Sequence, residues 1–364
     1  MRFMEKNVAN AIFMQRDKRK NVMKRLINLF VLAVFGMSLT YGSSGLCETE
    51  VKYTWKIATL APDGVGWAVY VKNELFQELA KRTHGDFQID VYWGGTMGDD
   101  EDCISKIRIG QLDGAGLSGG SVLMVCPEMS VLTLPYLFND YDEVDFIRSK
   151  MRDKFSKLCE KNGYKMLIWG DQDFDQMYST KVEIRTVEDF RKCKTLSLSG
   201  SIEIAIFQAF GASPIPISIP DTVPNVRSDV GDLVIAPSII WVGTQLYTVT
   251  KYVIPAKIRY MPVLVAVKLE SWNQLPENYR TEIDQVIIKE KKEIEFNQFV
   301  RKTNTQCYDA MIKYGVKEIQ LPESEISKMK DLTRPIWDKL AGKEFPRETL
   351  DEILSLLAKY RSSK

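Results

Sequence analysis

A single histidine limits the acid–base chemistry open to this chain. His84 lies in KRTHGD, between a predicted helix and a predicted strand, where an exposed turn residue is favoured over a catalytic one. No second histidine accompanies it and no serine occupies a G-x-S-x-G elbow, so a hydrolase triad has little support. The run GAGLSGG spells G-x-G-x-x-G at Gly114, Gly116 and Gly119, but a helix is expected before it, where a dinucleotide site needs a strand. These glycines, with Gly120 after them, instead suit close backbone packing at the rim of a cleft. Carboxylates cluster in GDDED (98–102), which lacks the spacing of a calcium loop and reads as charge near a helix N-terminus. Asp171 and Asp173, in GDQDFD, follow the apolar run KMLIWG where the chain passes between two predicted units. A solvated linker is favoured there over a ligand contact, and both readings stay open. The cysteines Cys47, Cys103, Cys126, Cys159, Cys193 and Cys307 form no C-x-x-C, which removes zinc and redox motifs. Cys126, in SVLMVCPEM, reads as a small buried residue, and a structural disulfide stays open for an exported chain. No cofactor and no metal are expected.

The elements that must position these residues alternate. VKYTWKIATL reads as a strand, APDGVG as a turn, and Val71, Leu75, Leu79 and Ala80 give helical spacing from Trp67 to Arg82. FQIDVYW follows as a strand and completes a β-α-β unit. A helix ending at Asp113-Gly114, another over roughly 142–162 and the strand KMLIWG continue the pattern. A second unit starts near Asp173 with QMYSTK, a short helix at VEDF, the strand TLSLSG and a helix over about 201–210 stopped by Gly211. Pro214, Pro216 and Pro220 then exclude a long helix. From Glu277 to Tyr314 there is neither Gly nor Pro; one unbroken helix there would run about 57 Å, longer than one lobe, and would act as a strut. The end, LDEILSLLAKYRSSK, reads as a closing amphipathic helix. Such alternation predicts an α/β fold with two lobes and mixed, mostly parallel sheets.

Met23-Lys24-Arg25, the apolar run Leu26–Leu39 and the small residues through Gly45 have the order of a secretory signal, with an apolar core too short to span a bilayer. Translation is expected to begin at Met23. Cleavage before Leu46 is favoured over lipid attachment at Cys47, which would place the mature chain in the periplasm rather than on a lipid anchor. Residues 1–46 carry eight Lys/Arg against two Asp/Glu, so the +1 of the full chain becomes −5 without them. That mild acidity argues against nucleic acid as a partner. The remaining length, about 318 residues, suits two lobes better than one core.

Taken together, VYWGGTMGDDEDCISKIRIGQLDGAGLSGG (91–120), LTLPYLFNDYDE (132–143), TVEDFRKCKTLSL (186–198), FQAFGASPIPI (207–217) and WNQLPENY (272–279) resemble the DctP-type solute-binding subunits of TRAP transporters. The resemblance implies two lobes joined by crossing strands and a long supporting helix. Residues 51–172 with about 258–295 would form one lobe, and 173–257 with about 296–364 the other. It also implies closure on a ligand, delivery to TRAP membrane permease subunits, and no catalysis. Most family members carry an arginine for a substrate carboxylate at the position of Leu196, and many carry a polar residue where this chain has Ala236, before Pro237. A guanidinium offers paired donors and leucine offers none. Trp67, Trp169, Leu198, Ile239 and Trp241 are expected around an apolar cavity, with Gly120 and Asp171 at its edge, which favours an uncharged or hydrophobic ligand over an organic acid. IWGD (168–171) and VGTQLYTVTKY (242–252) are similar to a subgroup whose transporters include a separate tetratricopeptide-repeat protein. The rival readings are a cleft enzyme of unknown reaction and a periplasmic scaffold or receptor with a vestigial cleft.

Overall fold

The alternating positions of YTWKIAT and FQIDVY become a parallel pair, β1 (Tyr53–Thr59) and β2 (Phe87–Tyr92), with Tyr53 opposite Phe87. The computed structural model describes residues 51–364 apart from Val65 and Ser199. The expected leader, the translation start and Cys47 lie outside the described residues. β3 (Gly114–Ser118) joins the free side of β1, also parallel. The remaining strands are β4 (Tyr164–Phe174), β5 (Gln176–Ser179), β6 (Thr195–Ser197), β7 (Ile215–Pro216), β8 (Leu233–Ala236), β9 (Tyr252–Ile254), β10 (Tyr260–Lys268) and β11 (Lys317–Glu318).

Two mixed sheets result, one for each lobe: β2-β1-β3-β10-β4 and β11-β9-β5-β8-β6-β7. The first is parallel across β2-β1-β3 and antiparallel where β10 meets β3 and β4. Glycine makes the β3–β10 approach feasible, because a Cβ at Gly114 would stand 2.5 Å from the Ala266 carbonyl oxygen. The G-x-G-x-x-G run is therefore mostly strand, and its last glycine starts a 3-10 turn at Gly119–Ser121 that leads into the four-residue helix Val122–Val125, whereas a dinucleotide site places the whole run in the turn between a strand and a helix.

Only Asp175 separates β4 from β5, so the chain passes directly from one sheet into the other. The return path runs from β9 through Arg259 into β10. The two crossings are laced together at this point: the Asp175 N–H donates to the Arg259 carbonyl (2.9 Å) and the Ile258 N–H donates to the Asp175 carbonyl (3.1 Å).

The expected unbroken helix over 277–314 is interrupted. Glu277–Asp284 is α-helical, Gln285–Lys289 widens to a π-helix, and Lys291 adopts a left-handed conformation (φ 63°) before the helix Lys292–Tyr314 begins. Gly and Pro are sufficient to stop a helix and not required: Arg82 Nη2 donates to Glu290 Oε1 (2.6 Å) and pins the corner from the first lobe. The second piece, about 35 Å long, still serves as a strut. Its Phe296 ring fills the space over Gly170, where a Cβ would stand 2.6 Å from a ring carbon. Further along, Asn304 accepts the Ile239 N–H (3.2 Å) and donates to the Gln172 carbonyl (2.5 Å), tying the second lobe to the crossing strand.

Other elements follow their local signals. GDDED starts the helix Asp100–Arg108 with a capping box, in which the Asp102 N–H donates to Asp99 Oδ1 (2.9 Å). His84 is exposed in its turn with φ 55°. The closing helix Arg347–Ser362 packs on Tyr141–Lys161, where Tyr360 stacks on Phe146 at 4.6 Å. Among the described residues, no helix is long and apolar enough to cross a membrane.

Candidate ligand-binding site

A cavity of about 340 Å³ opens between the lobes. The first lobe supplies the loop Thr59–Pro62 beyond β1, Trp67, Gly94, and Gly116 to Ser118 at the end of β3. The second supplies Ile219, Ile239, Ile240, Gly243 and Thr244, while Asp171, Gln172 and Val263 on the crossing strands and Val300 on the strut form its floor. Two elements meet across the mouth: a Cβ at Gly66 would stand 2.6 Å from the Ile239 side chain, so the Trp67 loop and the helix Ser238–Gly243 are in contact.

The charges nearest this cavity are spent on one another. The Asp171 side chain has no exposure to solvent. Its Oδ1 accepts from Arg148 and from the Tyr260 hydroxyl (2.7 Å), and its Oδ2 accepts from Arg301 Nε (2.7 Å). Both arginines also hold Asp145, Arg301 through Nη1 at 2.7 Å, and the Arg301 guanidinium lies 4.3 Å from the centre of the Tyr141 ring. Two guanidiniums thus balance two carboxylates, and the network ties Tyr141–Lys161, β4, β10 and the strut. None of the described residues lining the cavity is Lys, Arg or His.

Two more buried carboxylates follow on the same crossing. Burial pushes Asp173 up to about 6, against the opposing hydrogen bonds from Tyr141, Ser238 and Phe174. Burial likewise pushes Asp175 up to about 7, although Arg259 draws it down. Arg259 Nε donates to Asp175 Oδ2 (2.9 Å) and its Nη2 donates to Glu203, so one fully buried cation serves two carboxylates. Asp175 Oδ1 is buried without a hydrogen-bond partner. This triad sits at the crossing itself and locks the junction rather than opening on the cavity.

Of the positions expected at the site, Trp67, Asp171 and Ile239 line the cavity. Gly120 lies in the 3-10 turn two residues beyond the lining Ser118. The others occupy the interiors of the lobes. Trp169 meets Phe155 edge-on at 5.3 Å, with Arg148 over its ring, because its side of β4 faces Tyr141–Lys161. Trp241 stacks on Tyr178 at 4.6 Å and its Nε1 donates to Thr250 (2.7 Å). Leu196 is fully buried over Gly231, with Ala236 in the same apolar cluster and half-buried Leu198 packed against it. The Leu196 side chain therefore builds the core of the second lobe and places no group in the cavity. Thr59–Pro62, Ile219, Ile240, Gly243, Thr244, Val263 and Val300 escaped sequence reasoning. The only local signals were the turn residues after β1 and the interruption by Pro220, which mark loop ends without saying where they converge.

Two lobes on separate mixed sheets, two crossing strands, a shared strut and a cavity between them define a periplasmic-type solute-binding fold. The chain belongs to the family of bacterial extracellular solute-binding proteins, family 7 (DctP), whose profile matches residues 59–344. These are the solute-binding components of TRAP transporters, which work with membrane permease subunits. The chain is 22% identical over 294 residues to the 2,3-diketo-L-gulonate-binding periplasmic protein YiaO of Escherichia coli K12, covering 80% of this chain and 86% of that protein. Its fold is similar to a TRAP periplasmic solute-binding protein of Haemophilus influenzae with bound L-gulonate (TM-score 0.75, 20% identity, covering 84% of this chain and all of that one, 100%). It is also similar to the sugar acid binding protein DctPAm of Advenella mimigardefordensis with galactonate (TM-score 0.77, 18% identity, covering 84% and 98%).

Proposed function

We propose that this chain captures a small, uncharged and largely apolar solute in the interlobe cavity and presents it, on the extracytoplasmic side, to a TRAP-type permease. The carrying observation is the charge census of the cavity wall. Among the described residues, no lining side chain is cationic, and the one lining carboxylate is already bound by two internal arginines and a tyrosine. A sugar acid entering this space would shed water from its carboxylate and meet no guanidinium in return, a loss that a paired charge normally offsets. An apolar solute instead gains roughly 25 cal/mol for each Å² it buries against Leu60, Pro62, Trp67, Leu117, Ile219, Ile239 and Val263. Ser118 and Gln172 supply polar groups for orientation. The similar structures that hold L-gulonate and galactonate bind acids; the neutral-solute reading for this chain rests on the lining of its own cavity.

Mass spectrometry of gently purified protein tests the reading. A neutral, apolar compound retained at near one-to-one ratio is the expected result. A retained hexonate or hexuronate would overturn it. A separate tetratricopeptide-repeat protein that copurifies from native cells would extend the reading to the subgroup with that partner.

A further inference from the structure

We infer that the cleft continues into a second, wholly apolar subsite inside the first lobe, gated by the Trp67 indole, which receives the end of an unbranched hydrocarbon chain. This deepens the neutral-ligand reading and rests on it.

Behind Trp67 lies a void of about 30 Å³ between the sheet and two helical segments. The Trp67 indole stands between it and the cleft. Thr59, Trp67 and Gly116 line both spaces, so the ring is their common wall. The indole lies flush on the strand, since a Cβ at Gly116 would stand 3.3 Å from its Cη2. Apart from the Thr59 hydroxyl, which accepts the Ala61 N–H (3.2 Å), the described lining side chains are hydrocarbon or indole. An apolar void of this kind stays dry, and at about 30 Å³ it has room for little more than one hydrocarbon group until the indole moves aside.

Two features make the gate movable and the space persistent. Trp67 is half-buried, rests on Trp93 (5.6 Å) and Phe296 (6.1 Å), and begins its helix directly after Gly66, whose backbone is left-handed at φ 56°. The helices behind it are both widened to π geometry, at Val71–Leu75 and at Gln285–Lys289, and Val71, Leu75 and Ile287 from those widened turns line the void. π turns are rare and concentrate at functional sites, and here two of them border one void.

Calorimetric titration with straight-chain 1-alkanols from six to twelve carbons reads the subsite in three full-length proteins: wild type, Trp67→Ala and Ile89→Phe. Ile89 lines the void and not the main cavity, so phenylalanine there fills the subsite alone. For wild type, affinity should rise about fourfold per methylene along the series, the value that corresponds to about 0.8 kcal/mol per buried CH₂. Trp67→Ala should bind the longest members more tightly relative to the shortest. Ile89→Phe should match wild type for the short members and lose about fourfold for each methylene beyond the gate. Identical chain-length profiles in all three proteins would overturn the subsite while leaving the main-cavity reading intact. Failure of every alkanol to bind wild type would overturn both.

Discussion

Arg259→Met should cost about 3–5 kcal/mol of unfolding free energy at neutral pH, the range for breaking a buried ion pair from one side. Arg259 is almost wholly inaccessible, its side chain at 1% exposure, and it is the partner of both Asp175 and Glu203. Methionine keeps the hydrocarbon stem and strands buried Glu203, together with the ionised share of Asp175, at the point where the chain crosses between lobes. The companion variant Asp175→Asn should be far milder, because Glu203 remains to pair Arg259. It should also change the pH profile in a defined direction. Asp175 keeps its proton up to about 7 in the folded chain and to the ordinary carboxylate range of about 4 once unfolded. The folded state therefore holds more protons between those values, and its stabilising contribution, full at low pH, is lost as pH rises from about 4 to about 7. Asp175→Asn should flatten that part of the profile. Urea unfolding of the three proteins at several pH values measures both effects; a loss under about 1 kcal/mol for Arg259→Met would contradict the role assigned to the triad.

Asp171→Ala should be comparably severe, again about 3–5 kcal/mol, because Arg148 and Arg301 lose the carboxylate they share deep in the crossing. The two arginines keep Asp145, whose side chain is nearly half exposed (48%) and therefore screened. The space vacated lies at the cavity wall, so formate should restore part of the lost stability in Asp171→Ala and have no such effect on wild type. Thermal unfolding with and without formate reads this out. Unchanged stability in the variant would show that the arginines do not depend on Asp171.

Much of the scaffold was legible because periodicity and punctuation are local. The β-α-β opening, the helix over roughly 142–162, realised as Tyr141–Lys161, and the stop at Gly211 (φ 83°) all follow from apolar spacing and one left-handed glycine. The strut was legible as a lobe-spanning element but not in its extent, since the break at Lys291, beside the Arg82–Glu290 ion pair, carries no Gly or Pro to mark it in the sequence. The site was harder to read. Both faces of β4 are buried, so alternation cannot tell that Trp169 faces a helix while Asp171 borders the cavity. Aromatic residues such as Trp241 suggest a pocket and a core equally, and here the ring stacks on Tyr178 inside the second lobe. The missing arginine at Leu196 pointed toward a cleft without a cation, yet its side chain packs over Gly231, away from the cavity. The decisive observation, that Arg148 and Arg301 are occupied by Asp171 and Asp145, requires three segments distant in sequence to meet.

Calorimetry on protein stripped of bound compounds addresses the absence of a cation directly, with L-gulonate and with the apolar material released during stripping titrated in turn. Saturable one-to-one binding of the released neutral compound and no detectable heat with L-gulonate is the predicted result. Tight, saturable binding of L-gulonate would contradict the account.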